Sequence, residues 1–225
     1  MGVTLSDIYW KGECDFKILS TNPSGNGSDA TVMALTAGNL NFMSDGGVES
    51  NQDGIAVTFG SASPTDNNIN NWYFCIQEKK GNIRNASTNI FASASVAHYY
   101  VRLERATQGT AKLSVFSDST FTTHLPGSPV TFSITSTITG LNIIQHGVNA
   151  GGNPNRLINA SIDNDLICDN IIINECENII LNDDFLSSAN WQSQGNGAVN
   201  ISNGLCNFTN VYAGNYNRPY VCKKK

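Results

Sequence analysis

The stretch from Ala97 to Asp118 constrains the fold more than any other. Within it, Tyr100 to Arg105 reads Tyr-Val-Arg-Leu-Glu-Arg, and Ala111 to Ser117 reads Ala-Lys-Leu-Ser-Val-Phe-Ser. Val101 and Leu103 alternate with Arg102 and Glu104, and Leu113 and Val115 alternate with Lys112 and Ser114. A period of two sends one set of side chains into a core and the other into water, as in a half-buried strand. Thr107-Gln108-Gly109-Thr110 between the runs reads as a hairpin loop, with a glycine where φ can turn positive. This pairing puts Glu104 and Lys112 on the wet face, where an opposite-charge pair adds roughly 0.2–1 kcal/mol. The runs before and after share its length and pattern. The hairpin is therefore expected in the middle of a large antiparallel sheet.

Composition supports that architecture. Gly, Asn, Ser and Thr are abundant and only 14% of the residues are charged, which suits many short strands joined by polar turns. A chain of 225 residues is long enough for one substantial core, and all-β sandwiches of this size are often one domain. The net charge of −5 and pI near 5.0 leave no basic stripe to neutralise phosphates, so no nucleic-acid partner is expected. Lys223-Lys224-Lys225 reads as a solvated end. No apolar run approaches the roughly 20 residues needed to cross a bilayer. No membrane insertion is expected, and Met1 leads almost directly into strand-like sequence rather than a signal peptide.

Further strands are read at Tyr9 to Leu19, Ala30 to Ala37, Gly54 to Phe59, Trp72 to Gln77, Val130 to Ile134, Leu141 to His146 and Leu157 to Asp165. Long polar loops separate several of them, at Asn39 to Gln52 and Ser61 to Asn71. In the first strand Cys14, Phe16 and Ile18 are expected inward, with Glu13, Asp15 and Lys17 outward. The division read from this pattern is a main body over residues 1–170, a connector over 171–182, and completing strands over 183–225. Residues 183 to 222 are too few to fold alone, so Phe185, Trp191, Phe208, Tyr212 and Tyr220 must dock on something. None of the six cysteines lies in a CxxC pair, which speaks against zinc. Cys14 and Cys206 fall on apolar alternations and read as buried free thiols. Cys168 and Cys176 bracket a short loop, a disulfide arrangement open to a chain in an oxidising compartment.

Four stretches carry a likeness to a known family: Tyr9-Trp10-Lys11-Gly12-Glu13-Cys14-Asp15-Phe16, Asn51-Gln52-Asp53-Gly54-Ile55-Ala56-Val57, Tyr99 to Arg105, and Leu157 to Asp165. The chain resembles the concanavalin A-like lectin/glucanase jelly roll, including laminin G-like modules of large secreted bacterial surface adhesins. The resemblance implies an all-β antiparallel β-sandwich of jelly-roll type. Such domains usually open on an Asp-Asp-Phe…Trp…Gly…Leu-x-Phe stretch, which here stands at Asp183 to Phe208, so the order looks circularly permuted. The late strands then complete either their own sandwich or a neighbour's, by strand donation. The second outcome, self-association through residues 183–222, propagates into a filament.

The resemblance also nominates sites. Asp53-Gly54-Ile55-Ala56 looks like the Asp-Gly-x-Ala strand of legume-type lectins, whose acid accepts bonds from sugar hydroxyls. With Asn71, Trp72 and Tyr73 it offers an acid, an amide and an aromatic face, the parts a sugar needs. Asp163, Asp165, Asp183 and Asp184 would approach one another if first and last strands pair, as in family members with a structural calcium. The glucanase motif Glu-x-Asp-x-x-Glu is matched only in part: Glu13 and Asp15 are present, but Ile18 stands in the final acid's place. Lys11 and Lys17 share their face, so a solvated charge ladder is expected rather than a catalytic pair. His98, His124 and His146 show no metal-binding spacing. The expectation is a non-enzymatic, extracellular or cell-surface adhesion module that binds glycans or cell-surface polysaccharide. A structural self-associating subunit is the alternative, and a degenerate glycoside hydrolase the third.

Overall fold

The computed structural model describes residues 4–22, 28–37, 53–61, 72–81, 83–93, 95, 97–135, 137–150, 157–172, 175–183, 191–194, 198–202, 205–209 and 220–223. Beyond residue 169 the side chains described are those of Val199, Asn200, Ile201 and Cys206. The described residues form strands and no helix: β1 (Trp10–Asn22), β2 (Ser28–Ala37), β3 (Asp53–Ser61), β4 (Trp72–Lys80), β5 (Ile83–Ala86), β6 (Ile90–Ala92), β7 (Ala97–Thr107) and β8 (Thr110–Phe116). There follow β9 (Val130–Ser133), β10 (Ile143–Ala150), β11 (Leu157–Ile172), β12 (Glu175–Asp183), β13 (Trp191–Gln194), β14 (Ala198–Ser202), β15 (Leu205–Thr209) and β16 (Tyr220–Lys223). No helix among the described residues is long and apolar enough to cross a membrane.

Two antiparallel sheets pack as a sandwich. The first runs β14-β15-β11-β1-β7-β8-β9, with β12 also on β11; the second runs β13-β16-β10-β2-β3-β4-β5, with β6 also on β4. The hairpin β7–β8 pairs Glu104 with Lys112, whose charged ends lie 3.5 Å apart. Gly109 does not take the expected positive φ. The hairpin loop is held instead by outside partners: Ile134 N–H donates to the Gly109 carbonyl (2.9 Å), and Arg105 Nη2 donates to that of Gln108 (2.6 Å).

Of the connector read over 171–182, residues 171 and 172 end β11 and residues 175–182 lie in strand β12, antiparallel to β11. Of the late strands, β15 pairs with β11 and β16 pairs with β10, all within one chain.

Alternation fills the core. Trp10, Cys14, Phe16 and Ile18 of β1 meet Val101 and Leu103 of β7 in one buried cluster, with Leu35, Ile55, Val57, Phe59 and Phe74 from the second sheet. Phe59 anchors an aromatic group, 4.6 Å from Phe74, 5.3 Å from Trp72 and 5.5 Å from Phe16 between ring centroids. The sheets approach closely at Gly12, where a Cβ would stand 2.6 Å from Met33 Sδ and 2.9 Å from Ile167 Cδ1. Cys14, Cys75 and Cys206 are buried free thiols; burial, then the charge of Asp165, pushes the Cys14 thiol well up. Cys168 is disulfide-bonded, with a partner outside the described side chains.

Among the described residues, a polar pair crosses the core. His146 of β10 and Asp165 of β11, both fully buried, meet at 2.5 Å between Nε2 and Oδ2. His146 Nδ1 lies 2.5 Å from the Val32 carbonyl oxygen. That oxygen only accepts, so Nδ1 carries a proton, and a second proton lies between Nε2 and the carboxylate.

Candidate functional site

The two outward faces of the sandwich differ in exposure, and this locates the site. On the second sheet Gln145, Ala34, Ala56 and Gln77 stand opposite one another in one row across four strands. All four are buried, as are the neighbouring Thr36, Thr58 and Cys75. On the first sheet the corresponding rows run Glu13–Arg102–Ser114 and Asp15–Tyr100–Phe116, with Lys17 opposite His98 beyond them. Lys17 and His98 are exposed there, and Asp15, Tyr100 and Arg102 are half-exposed. This face reaches solvent with charged, amide and aromatic groups together.

The loop after β8 completes it. Asp118 accepts the backbone N–H groups of Thr120 (3.1 Å), Thr122 (3.3 Å) and Thr123 (2.5 Å), together with the hydroxyls of Thr120 and Thr122. These bonds, led by that of the Thr120 hydroxyl, hold its carboxyl well below the usual carboxylate range. The fold-back sets Phe121 at φ 54°, an uncommon conformation for a bulky residue. Its ring stands edge-on to Tyr100 (5.9 Å) and Phe116 (5.4 Å). The Arg102 guanidinium lies over Phe121 (5.0 Å) and Phe116 (5.3 Å), while its Nε donates to Glu13 Oε1 at 2.6 Å. Lys11 Nζ is 3.4 Å from that same oxygen.

Beside this aromatic group, His98 stacks on Tyr100 at 4.4 Å. Its Nδ1 lies 3.2 Å from the Tyr100 hydroxyl, and its Nε2 is 3.6 Å from Asp15 Oδ2. Asn164 Nδ2 donates to Asp15 Oδ2 at 2.9 Å. Asp15 is pushed above the usual carboxylate range by burial, against the opposing pull of the Asn164 bond and of His98. A carboxyl raised in the fold contributes stability below its unfolded value and loses it as pH rises through the folded value. Asp15→Asn is therefore expected to melt at the same temperature or higher than the parent at pH 7, with no advantage near pH 3. A lower midpoint at pH 7, measured by thermal unfolding, would contradict this assignment.

The sites expected from the sequence are placed differently. Asp53 lies against the Lys80 ammonium and accepts the Gly81 N–H at 3.1 Å, so it caps the β4–β5 turn. Trp72 is wholly buried and packs on Phe59, so it offers no open ring face; this corrects its reading as a platform. Tyr73 points the other way and pairs with Phe91, while Gly54 is buried. Asn71 lies outside the described residues.

The acidic cluster also comes apart. Asp163 stands opposite Asp15 on the outer face, whereas Asp165 turns inward to His146. The backbone of Asp183 pairs with Asp165; its side chain, and Asp184 altogether, lie outside what is described. Among the described residues no three His, Cys, Asp or Glu side chains are grouped to hold a metal. Glu13 is engaged by Arg102 and Lys11 and is buried rather than solvated.

No family model matches the chain, and no curated protein matches it. Among solved structures it is similar to a Scytalido-glutamic peptidase crystallised with a peptide-based transition-state analog. The TM-score is 0.50 at 6% identity, covering 92% of this chain and 95% of that one. It is also similar to the CBM2 module of the evolved Dit of Lactobacillus casei BL23 phage J-1. There the TM-score is 0.39 at 5% identity, covering 96% of this chain and 62% of that one. The likeness to the peptidase, at this identity, speaks for a β-sandwich fold and for no ligand. The peptidase nevertheless overturns the expectation that the chain is not an enzyme. That expectation leaned on fold kinship with binding modules, and a sandwich of this shape also carries a catalyst.

Proposed function

We propose that this protein is a carbohydrate-binding β-sandwich of concanavalin A-like type, acting at the cell surface or outside the cell, with its ligand on the outward face of the first sheet. One observation carries the reading. Tyr100 and Phe121 form an aromatic surface bordered by Asp15, Asn164, His98 and Arg102, and these side chains are fixed to one another before any ligand arrives. Sugars present apolar ring faces edged by hydroxyls, so they require an aromatic contact and a few rigid polar partners. The disulfide at Cys168 supports an oxidising compartment.

A glycan array followed by calorimetry tests the reading. Wild-type protein is expected to bind a subset of glycans. Tyr100→Ala and Phe121→Ala are each expected to weaken that binding about tenfold, roughly 1.4 kcal/mol, without loss of fold. Unchanged affinity in both variants would remove this face from consideration.

A second reading, hydrolysis assisted by a carboxylic acid at the same face, is favoured by the half-buried Asp15 carboxyl, which Asn164 and His98 hold beside the aromatic surface. It requires turnover of a bound glycan that disappears in Asp15→Asn while binding persists; turnover unaffected by that change would sink it.

A further inference from the structure

Arg102 is unlike the other cations of the outer face. Its Nε is committed to Glu13, and its plane lies over the rings of Phe116 and Phe121. Among the described residues, nothing accepts a hydrogen bond from either Nη group, and the side chain is 27% exposed. Most of the conformational freedom of a long side chain is thereby already removed, while neither outer nitrogen is among the buried atoms left without a partner. A guanidinium offers two parallel N–H donors in a planar fork, which matches the two oxygens of a carboxylate. Lys11 and Arg102 converge on the single acid Glu13, and in the next row Glu104 and Lys112 neutralise each other. Asp15 stands opposite Tyr100 in the adjoining row, diagonal to Arg102, and is held by Asn164 and His98, while Asp118 is engaged by its own loop.

We propose that Arg102 is the specificity-determining contact of this face and that the ligand is an acidic glycan. A sugar carboxylate sits bidentate on Nη1 and Nη2 while the ring bearing it lies against Tyr100 and Phe121. Glu13 and Phe116 act as positioning residues that hold the fork. The proposal rests on the glycan-binding reading above and adds the ligand's charge class to it.

Matched pairs of uronic-acid oligosaccharides and their methyl esters, built on galacturonic, glucuronic and mannuronic acid, separate the two ideas by calorimetry. The wild-type protein is expected to bind the free acid of at least one pair tenfold or more tighter than its ester, with the preference shrinking as salt rises. Arg102→Lys keeps the charge beside Glu13 but loses the fork. It is expected to fold normally and to lose the preference, binding acid and ester with like affinity. Tyr100→Ala is expected to weaken both members of the pair. Binding of the esters without any preference for the acids, or a preference that survives Arg102→Lys, overturns the role of Arg102 and leaves glycan binding standing. Binding of neither member of any pair, together with an empty glycan array, overturns both.

Discussion

A chain ending at Asn182, lacking residues 183–225, is expected to lose its cooperative thermal transition, or to melt more than about 10 °C lower, and to aggregate at micromolar concentration. The late strands do not form a separate unit. In the first sheet β15 pairs with β11 through Ala160–Phe208, Ser161–Asn207 and Ile162–Cys206, and β14 follows it. In the second sheet β16 pairs with β10 through Gln145–Cys222, His146–Val221 and Gly147–Tyr220, and β13 follows that. Truncation therefore bares part of one edge in each sheet at once, and open edges template association. It also removes Cys206 from the buried cluster and Val199 and Ile201 from its border. Differential scanning calorimetry and light scattering on the shortened chain give the answer. A soluble monomer with the parent's midpoint would show that the sandwich is complete without these strands.

The second large effect concerns the pair that crosses the core. His146→Ala is expected to destabilise the protein by about 3–5 kcal/mol, because it breaks a buried polar pair by removing one member. Asp165→Ala should cost less, since a neutral imidazole still donates to the Val32 carbonyl. The informative variant removes both: His146→Leu with Asp165→Leu is expected to recover most of the loss, because a buried ion pair exchanged for apolar side chains is often close to neutral. Urea unfolding of the three variants measures this directly. A double variant as unstable as His146→Ala would mean that cavity or packing terms, rather than the broken pair, set the cost.

How much of this was legible in the chain differs from residue to residue. Val101, Leu103, Leu113 and Val115 declare their face by alternation, and so do Arg102, Glu104 and Lys112 opposite them. Period-two alternation is a property of neighbours in sequence, so the strands, the core face of β1 and the Glu104–Lys112 pair could be read from it. Asp163 and Asp165 show where it fails. Simple alternation gives both the same face, but the register shift at Glu13/Asp15 sets two residues of β11 against one of β1, with Asn164 at φ 53°. That bulge turns Asp165 into the core and leaves Asp163 outside. Trp72 and Tyr73 likewise had to face opposite ways, and only the packing of Phe59 decided which ring was buried. Phe121 carried no signal at all: it lies in a Ser/Thr-rich loop and reaches Tyr100 only because Asp118 folds that loop back.

By itself, then, the sequence determined the class of fold, the positions of most strands, and which side chains of the central hairpin meet water, because each follows from spacing along a single strand. The tertiary structure alone decided which outward face stays open, that Arg102 is gripped by Glu13 with its fork free, and that His146 finds Asp165 across the core. Those outcomes depend on strands far apart in the chain coming into register, and no local pattern encodes the distance between them.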